Sequence, residues 1–239
     1  MKADLHIHTV LSPCGDLDMS PRAIVATARE RGLDLIGVTD HNSTRQIPVI
    51  ARLARQAGLL LLPGVEITTR EEAHCLAFFP DDRRLDDFQR FLDDRLPDIP
   101  NDPARFGYQV IVDADDLLTG EEPRLLISAL SAGVEEVERL VHALDGLFIP
   151  AHVDKSRDSI LSQLGFIPPS LHCDAIELSP RADPSRFLSA HPYLRALPVT
   201  RSSDAHYLQD IGRSFTTLSP RDASFDAIRD AIRSLPPPA

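Results

Sequence analysis

Short apolar runs alternate with amphipathic segments along most of the chain. "ADLHIHT", "LDLIGVTD", "LLLLPGVEITT", "AHCLAFFP" and "GLFIPAHV" predict strands, and "DAIELS", "LPVTRSSDAH" and "SFTTLS" follow later. "LDLIGVTD" is continuously apolar, as buried parallel strands are. "SPRAIVATARERG" predicts a helix with Ser20 as N-cap, Pro21 at its first position and Gly32 past its end. "STRQIPVIARLARQAG" predicts a second helix, irregular near Pro48, and "SFDAIRDAIRSL" a final amphipathic one. Strand-then-helix repetition places a parallel sheet beneath outer helices. A count of roughly seven to eight strands suits a barrel, and an open doubly wound sheet suits the same periodicity.

Between Leu85 and Gly146 the rhythm changes. "LDDFQRFLDDRL" and "VEEVERLVHAL" are helical, and "PDIPNDPARFGYQ" between them is rich in loop formers. The segment 85–146 is predicted to be a mostly helical insertion within a single domain spanning 1–239. Loops above such a sheet shape the pocket, so the insertion is expected to carry specificity.

The formal net charge of -11 disfavours a grip on long nucleic acid or an anionic membrane, unless bound cations reverse the local field. No Trp and only three Tyr leave no evident platform for stacked bases. Cys14, Cys75 and Cys173 form no C-x-x-C pair, which points to a reducing compartment. No secretory signal and no apolar run of about 20 residues is present, so the expectation is a cytoplasmic protein without membrane partners.

Candidate chemistry lies at the strand ends. His6 and His8, at i and i+2 on the first strand, share a face and can converge on one cation. Asp4 is expected on that face, orienting a ligand histidine. Leu5 and Ile7 are expected to point together toward the helices. His41 follows the second strand beside Asp40, where Asp40, Asn42 and Ser43 are also good helix caps. Glu66 lies in an apolar strand and needs a cation or a basic partner, for which Arg70 is near enough in sequence. Its two oxygens could bridge two metals. His74, His152 and the pair Asp204 and His206 stand at the ends of further strands. Ligand types recurring at strand ends, where open sheets and barrels place active sites, point to a multinuclear metal centre.

"DLHIHT", "TDHN", "GVEI", the following His74, "AHVD" and "SDAH" occur in the order of the PHP (polymerase and histidinol phosphatase) family. The chain resembles that family's stand-alone phosphoesterases more than its polymerase-fused domains. The resemblance implies a distorted (β/α)7 barrel, two to three divalent metal ions and phosphoester hydrolysis. It implies that His6, His8, Glu66 and Asp204 hold a first metal. Glu66, His74 and His152 would hold a second, and His41 and His206 a third. The family adds an Asp or His from the loop after the first strand. In "VLSPCGDLDMSP" Asp16 fits best, with Cys14 and Asp18 as alternatives.

Imidazole and carboxylate donors suit zinc, manganese or iron alike. The expected reaction is attack of a metal-bound hydroxide on the phosphate of a small substrate, a nucleotide, sugar or amino-alcohol phosphate. Glu66, His206 and Arg201 are the expected catalytic residues, with Arg201 gripping phosphate and Lys155, Arg157 and Arg213 as further cations. Cleavage of short oligonucleotides and a catalytically inactive metal-binding module are the alternatives.

Overall fold

Ten strands and eight α-helices form within residues 1–237, the residues that the structure, a computed structural model, describes. The first strand, β1 (Lys2–Ile7), leads through α1 (Pro21–Glu30) to β2 (Leu35–Val38), and α2 (Ile47–Gln56) leads to β3 (Leu60–Thr68). These three strands are parallel neighbours, joined by helical crossovers as the pattern predicts. Ser20 Oγ accepts the Ala23 N–H at 3.3 Å and caps α1. α2 begins later than predicted, with Gln46 at its N-cap and Pro48 in its first turn. There Pro48 interrupts nothing, because first-turn N–H groups have no intrahelical partner.

The parallel order then stops. β4 (His74–Phe78) runs antiparallel to β3, because residues 69–73 are too short a link for a crossover. Next come α3 (Asp82–Arg95), α4 (Pro103–Phe106), the hairpin of β5 (Val110–Val112) and β6 (Leu118–Glu121), and α5 (Val134–Ala143). The hairpin departs from the helical expectation for this segment. Its strands have three and four residues, too few to show alternation. β7 (Leu147–Pro150) then pairs antiparallel with β4.

After α6 (Ile160–Leu164) come β8 (Ile176–Leu178), α7 (Pro184–Ala190), β9 (Val199–Arg201), β10 (Thr216–Thr217) and α8 (Phe225–Arg233). The main sheet has the order β10-β1-β2-β3-β4-β7, and β8 pairs with β9 in parallel. The result is a mixed α/β fold with a curled, half-barrel sheet, not one that is parallel throughout. Among the described residues no helix is long and apolar enough to cross a membrane.

The sheet has two apolar faces. Leu5, Leu35, Leu62, Leu76 and Ile149 pack with Ile228 and Ile232 of α8. Ile7, Ile36, Val38 and Phe148 pack with Ile24, Ile50, Phe88 and Val137 of the outer helices. Leu5 and Ile7 therefore lie in different clusters, against the expectation from strict alternation. The cause is a register shift: Asp4 pairs with Ile36 but Ile7 with Val38, three residues against two, the signature of a bulge. Gly37 makes room beside it, since a Cβ there would stand 2.6 Å from the Leu5 carbonyl oxygen. The bulge lets two histidines end a strand whose first half serves the core.

Candidate metal centre

Strand direction brings the histidines to one edge. β1, β2 and β3 finish there; β4 runs the other way and offers its first residue, His74; β7 returns and delivers His152 just past its end. Ala205 bridges Ile7, setting Asp204 and His206 beside the end of β1, and His41 bridges Glu66. Asn42, His152 and Asp204 have φ of 45°, 29° and 53°, a left-handed region that non-glycine residues rarely occupy. Backbone strain of this kind collects at functional sites.

The donor atoms face one another at close range. His6 Nδ1–H donates to Glu177 Oε1 at 3.0 Å. Ser12 Oγ donates to Asp40 at 2.7 Å and so accepts His8 Nδ1–H at 2.9 Å. In the neutral forms both Nε2 atoms keep a lone pair, and these atoms meet at 3.2 Å. Oxygens of Glu66 and Asp204 stand 3.3 to 3.5 Å from these nitrogens. Glu66 also meets His74 at 2.9 Å, His152 at 3.1 Å and His41 at 3.2 Å. His41 Nδ1 is buried with no hydrogen-bond partner despite that contact. Facing lone pairs, an orphaned imidazole nitrogen and a central carboxylate fit divalent cations. Three groups bring a ligand atom from each member within 4.8 Å of the others: His6, His8 and Glu66; His8, His41 and His206; His41, Glu66 and His74.

Charge is distributed to match. Burial opposes ionisation of Glu66, yet His74, His6 and His41 hold its carboxyl well below the usual range. Burial likewise opposes Asp204, and His6 and His8 outweigh it. Burial opposes a charged His6, but Glu177, Glu66 and Asp204 raise it well above an ordinary histidine. Burial, then the neighbouring His8, lowers His206 to about 4. Burial also lowers His41, helped by His8 and His74. The carboxylates are thus held ionised and His41 and His206 neutral, the forms that ligate metals, whereas a cation at His6 would displace a proton.

Eight of the expected residues converge: His6, His8, His41, Glu66, His74, His152, Asp204 and His206. Asp16 does not join them. Its carboxylate accepts the Asp18 N–H at 2.8 Å in its own turn, while Cys14 Sγ lies 3.2 Å from His206 Nε2. Arg201 is also turned away, donating to the carbonyls of Pro180 and Ala182 at 2.8 and 3.3 Å. Lys155 is the cation at the cluster, bonded to Asp204. Arg70 pairs with Glu71, not Glu66. Asp4 accepts the N–H groups of Ser203 and Gly212 at 2.9 and 2.8 Å, and burial raises its carboxyl to about 6. The carboxylate that orients His6 is Glu177. Its place within the apolar run "DAIELS" is the same signal that singled out Glu66. Asp40 caps no helix and instead holds Thr9 and Ser12. Glu177→Ala should weaken retention of divalent cations about 10- to 100-fold, measured by chelator competition.

A cavity of about 560 Å³ opens onto the cluster, lined by Cys14, His41, Glu66, His74, Lys155 and His206 among others. Its far wall comes from Leu125, Ile127, Ser128 and Ala129. Fold and site together define an α/β protein whose strand ends carry a cluster of metal-ligating side chains. The chain belongs to the PHP domain family, whose model matches residues 4–164, and a PHP-associated model matches 194–235. An uncharacterized protein of Methanocaldococcus jannaschii, MJ1587, is 37% identical over 79 residues, 30% of this chain and 46% of that one. The 5'-3' exoribonuclease Rnm of Salmonella typhimurium is 38% identical over 73 residues, 30% of this chain and 24% of that one. The match therefore spans less than half the length of either relative. Among solved structures, the lesion-specific endonuclease PfuEndoQ of Pyrococcus furiosus superposes with a TM-score of 0.72 at 22% identity, over 97% of this chain and 55% of that one. A candidate metal-dependent phosphoesterase of Bifidobacterium adolescentis gives 0.67 at 22% identity, over 98% and 96%. At such identities these two show a shared fold.

Proposed function

We propose that the chain hydrolyses a phosphoric ester on a small phosphorylated substrate, a nucleotide, sugar or amino-alcohol phosphate, held in the cavity beside Glu66. The observation that carries this reading is the cluster of six imidazoles and two carboxylates, of which His41, His74, His152, His206, Glu66 and Asp204 line one cavity with Lys155 at its wall. His6, His8, Glu66 and Asp204 would hold a first cation, Glu66 with His74 and His152 a second, and His41 with His206 a third. Two to three such ions, of zinc, manganese or iron, suit these donors. When bound, divalent cations lower the pKa of water and neutralise charge on phosphate oxygens. The chain's own residues position the rest. Glu177 and the Ser12–Asp40 pair lock His6 and His8 with Nε2 toward Glu66 and Asp204. Lys155 places a positive charge where a phosphate oxygen would lie, replacing the role expected of Arg201. His206 presents Nε2 to the same cavity, its Nδ1–H held by the Asp204 carbonyl at 2.9 Å.

The sheet is read as a distorted (β/α)7 barrel. Hydrogen bonds support this by running from β7 to the segment just before β8, through Asp174 N–H to the Phe148 carbonyl at 3.0 Å, and back to β1 through the Ala205 bridge. Residues 85–146 would select the substrate through the wall at Leu125–Ala129. The compartment is read as the cytoplasm, on the free cysteines.

A second reading is cleavage of short oligonucleotides, favoured by the stretch shared with the exoribonuclease Rnm. One screen separates the two. Phosphate release is measured on phosphomonoesters, nucleotide 3′,5′-bisphosphates and short oligonucleotides at several salt concentrations. Release from monoesters with little salt dependence supports the first. Activity confined to oligonucleotides and falling steeply with salt supports the second.

A further inference from the structure

Cys14 is the one thiol that lines the cavity among the described residues. Cys75 is buried in the core and Cys173 packs beside it. The turn that presents Cys14 is tightly built. Ser12 N–H bonds to the Thr9 carbonyl at 3.1 Å, Gly15 N–H to that of Ser12 at 2.9 Å and Asp16 N–H to that of His206 at 2.9 Å. A Cβ on Gly15 would stand 2.5 Å from the Thr9 oxygen, so the turn has little room to rearrange. The same turn that fixes Cys14 facing the cavity spends the Asp16 carboxylate on the Asp18 N–H.

Beyond the turn, Cys14 touches His206 and shares the cavity wall with His41. His8, His41 and His206 each bring a ligand atom within 4.8 Å of the others. His41 is 4% exposed and its Nδ1 has no hydrogen-bond partner. His206 Nδ1–H is committed to a carbonyl, so its lone pair is on Nε2, the atom 3.2 Å from Cys14 Sγ. Tetrahedral zinc with Zn–N near 2.0–2.1 Å and Zn–S near 2.3 Å sets an N···S separation of about 3.5 Å. The observed pair is within a few tenths of an ångström of that.

We propose that Cys14 supplies a thiolate ligand to the cation position of His41 and His206, where an Asp or His was expected. The proposal rests on the metal-centre reading above. Binding would form a metal–sulfur bond and release the thiol proton to solvent, with no change of oxidation state. A set of two imidazoles and one thiolate is softer than the oxygen-rich set around Glu66 and Asp204. It therefore favours zinc at this position over manganese.

The test is titration of chelator-stripped protein with Cd(II), followed by the ultraviolet charge-transfer absorption of a metal–thiolate bond. A band is expected as the last equivalent binds. In Cys14→Ser the band should vanish and affinity for that equivalent should fall at least about 10- to 100-fold; Asp16→Ala should change neither. In the wild-type protein, zinc should slow iodoacetamide labelling of Cys14 at least 10-fold, a readout that needs no variant. Cadmium binding without a band, a band that survives Cys14→Ser, or labelling unaffected by zinc would each overturn the assignment. Failure to bind any divalent cation would overturn the metal-centre reading, and this inference with it.

Discussion

Glu66→Gln is expected to reduce phosphate release by more than about 10³-fold and to lower the divalent metal content by at least one ion per chain. Glu66 touches five imidazoles: His6, His8, His41, His74 and His152. No other carboxylate of the centre reaches so many. Glutamine keeps the shape but removes the charge, and it turns an N–H donor toward nitrogens whose lone pairs are needed for ligation. Burial makes this costly, because Glu66 is 1% exposed and water cannot replace the lost acceptor. The checks are phosphate release at saturating cation and metal analysis of the purified variant. Wild-type activity with wild-type metal content would remove Glu66 from the centre.

The largest expected loss of stability lies at the opposite end of β7. Asp174 accepts the Phe148 N–H at 2.7 Å, His142 Nε2–H at 2.9 Å and the Arg233 guanidinium at 2.6 Å. One buried carboxylate thus ties β7, α5 and α8 together. Asp174→Ala is expected to cost about 3 kcal/mol, the lower end of the range for breaking a buried pair, since Arg233 and His142 keep some solvent. The pH dependence has a definite sign. The bond to Asp174 raises the His142 pKa, so that contribution is complete below about 6.5 and is lost as pH rises through the raised folded value. Burial opposes ionisation of Asp174, but His142 lowers its pKa below the ordinary one. Its contribution is therefore complete above about 3.9 and is lost as pH falls through the lowered folded value. Urea unfolding of chelated wild type and variant should differ most between those limits and less near about pH 9. Equal stabilities at all pH values would contradict the assignment.

The sequence made the centre legible because its ligands are chemically conspicuous. Histidines and acids in apolar strands, as in "DLHIHT" and "GVEI", are too costly to bury without a purpose. What it hid were facts of direction and distance. The bulge in β1 moved Leu5 and Ile7 onto different faces, and the His6 ring went to Glu177 while Asp4 holds Ser203 and Gly212. Alternation alone carries no sign of such a shift. The antiparallel turn into β4 was implied by the short link at 69–73, and it explains how a residue starting a strand joins residues ending others. Arg201 follows the same logic as Lys155, a cation near a strand end. Only tertiary structure shows that the carbonyls of Pro180 and Ala182 occupy its guanidinium. The Ser12–Asp40 support of His8 spans 28 residues and has no local pattern.

The central claim is that divalent cations bound at these strand ends are required for phosphoester hydrolysis. Metal analysis of protein purified without chelator, with phosphate release measured before chelation, after chelation and after cation is restored, tests it most directly. Two to three divalent ions per chain are predicted, with activity abolished by chelation and returned by cation. A chain that carries no divalent metal and releases phosphate equally well in chelator would contradict the claim.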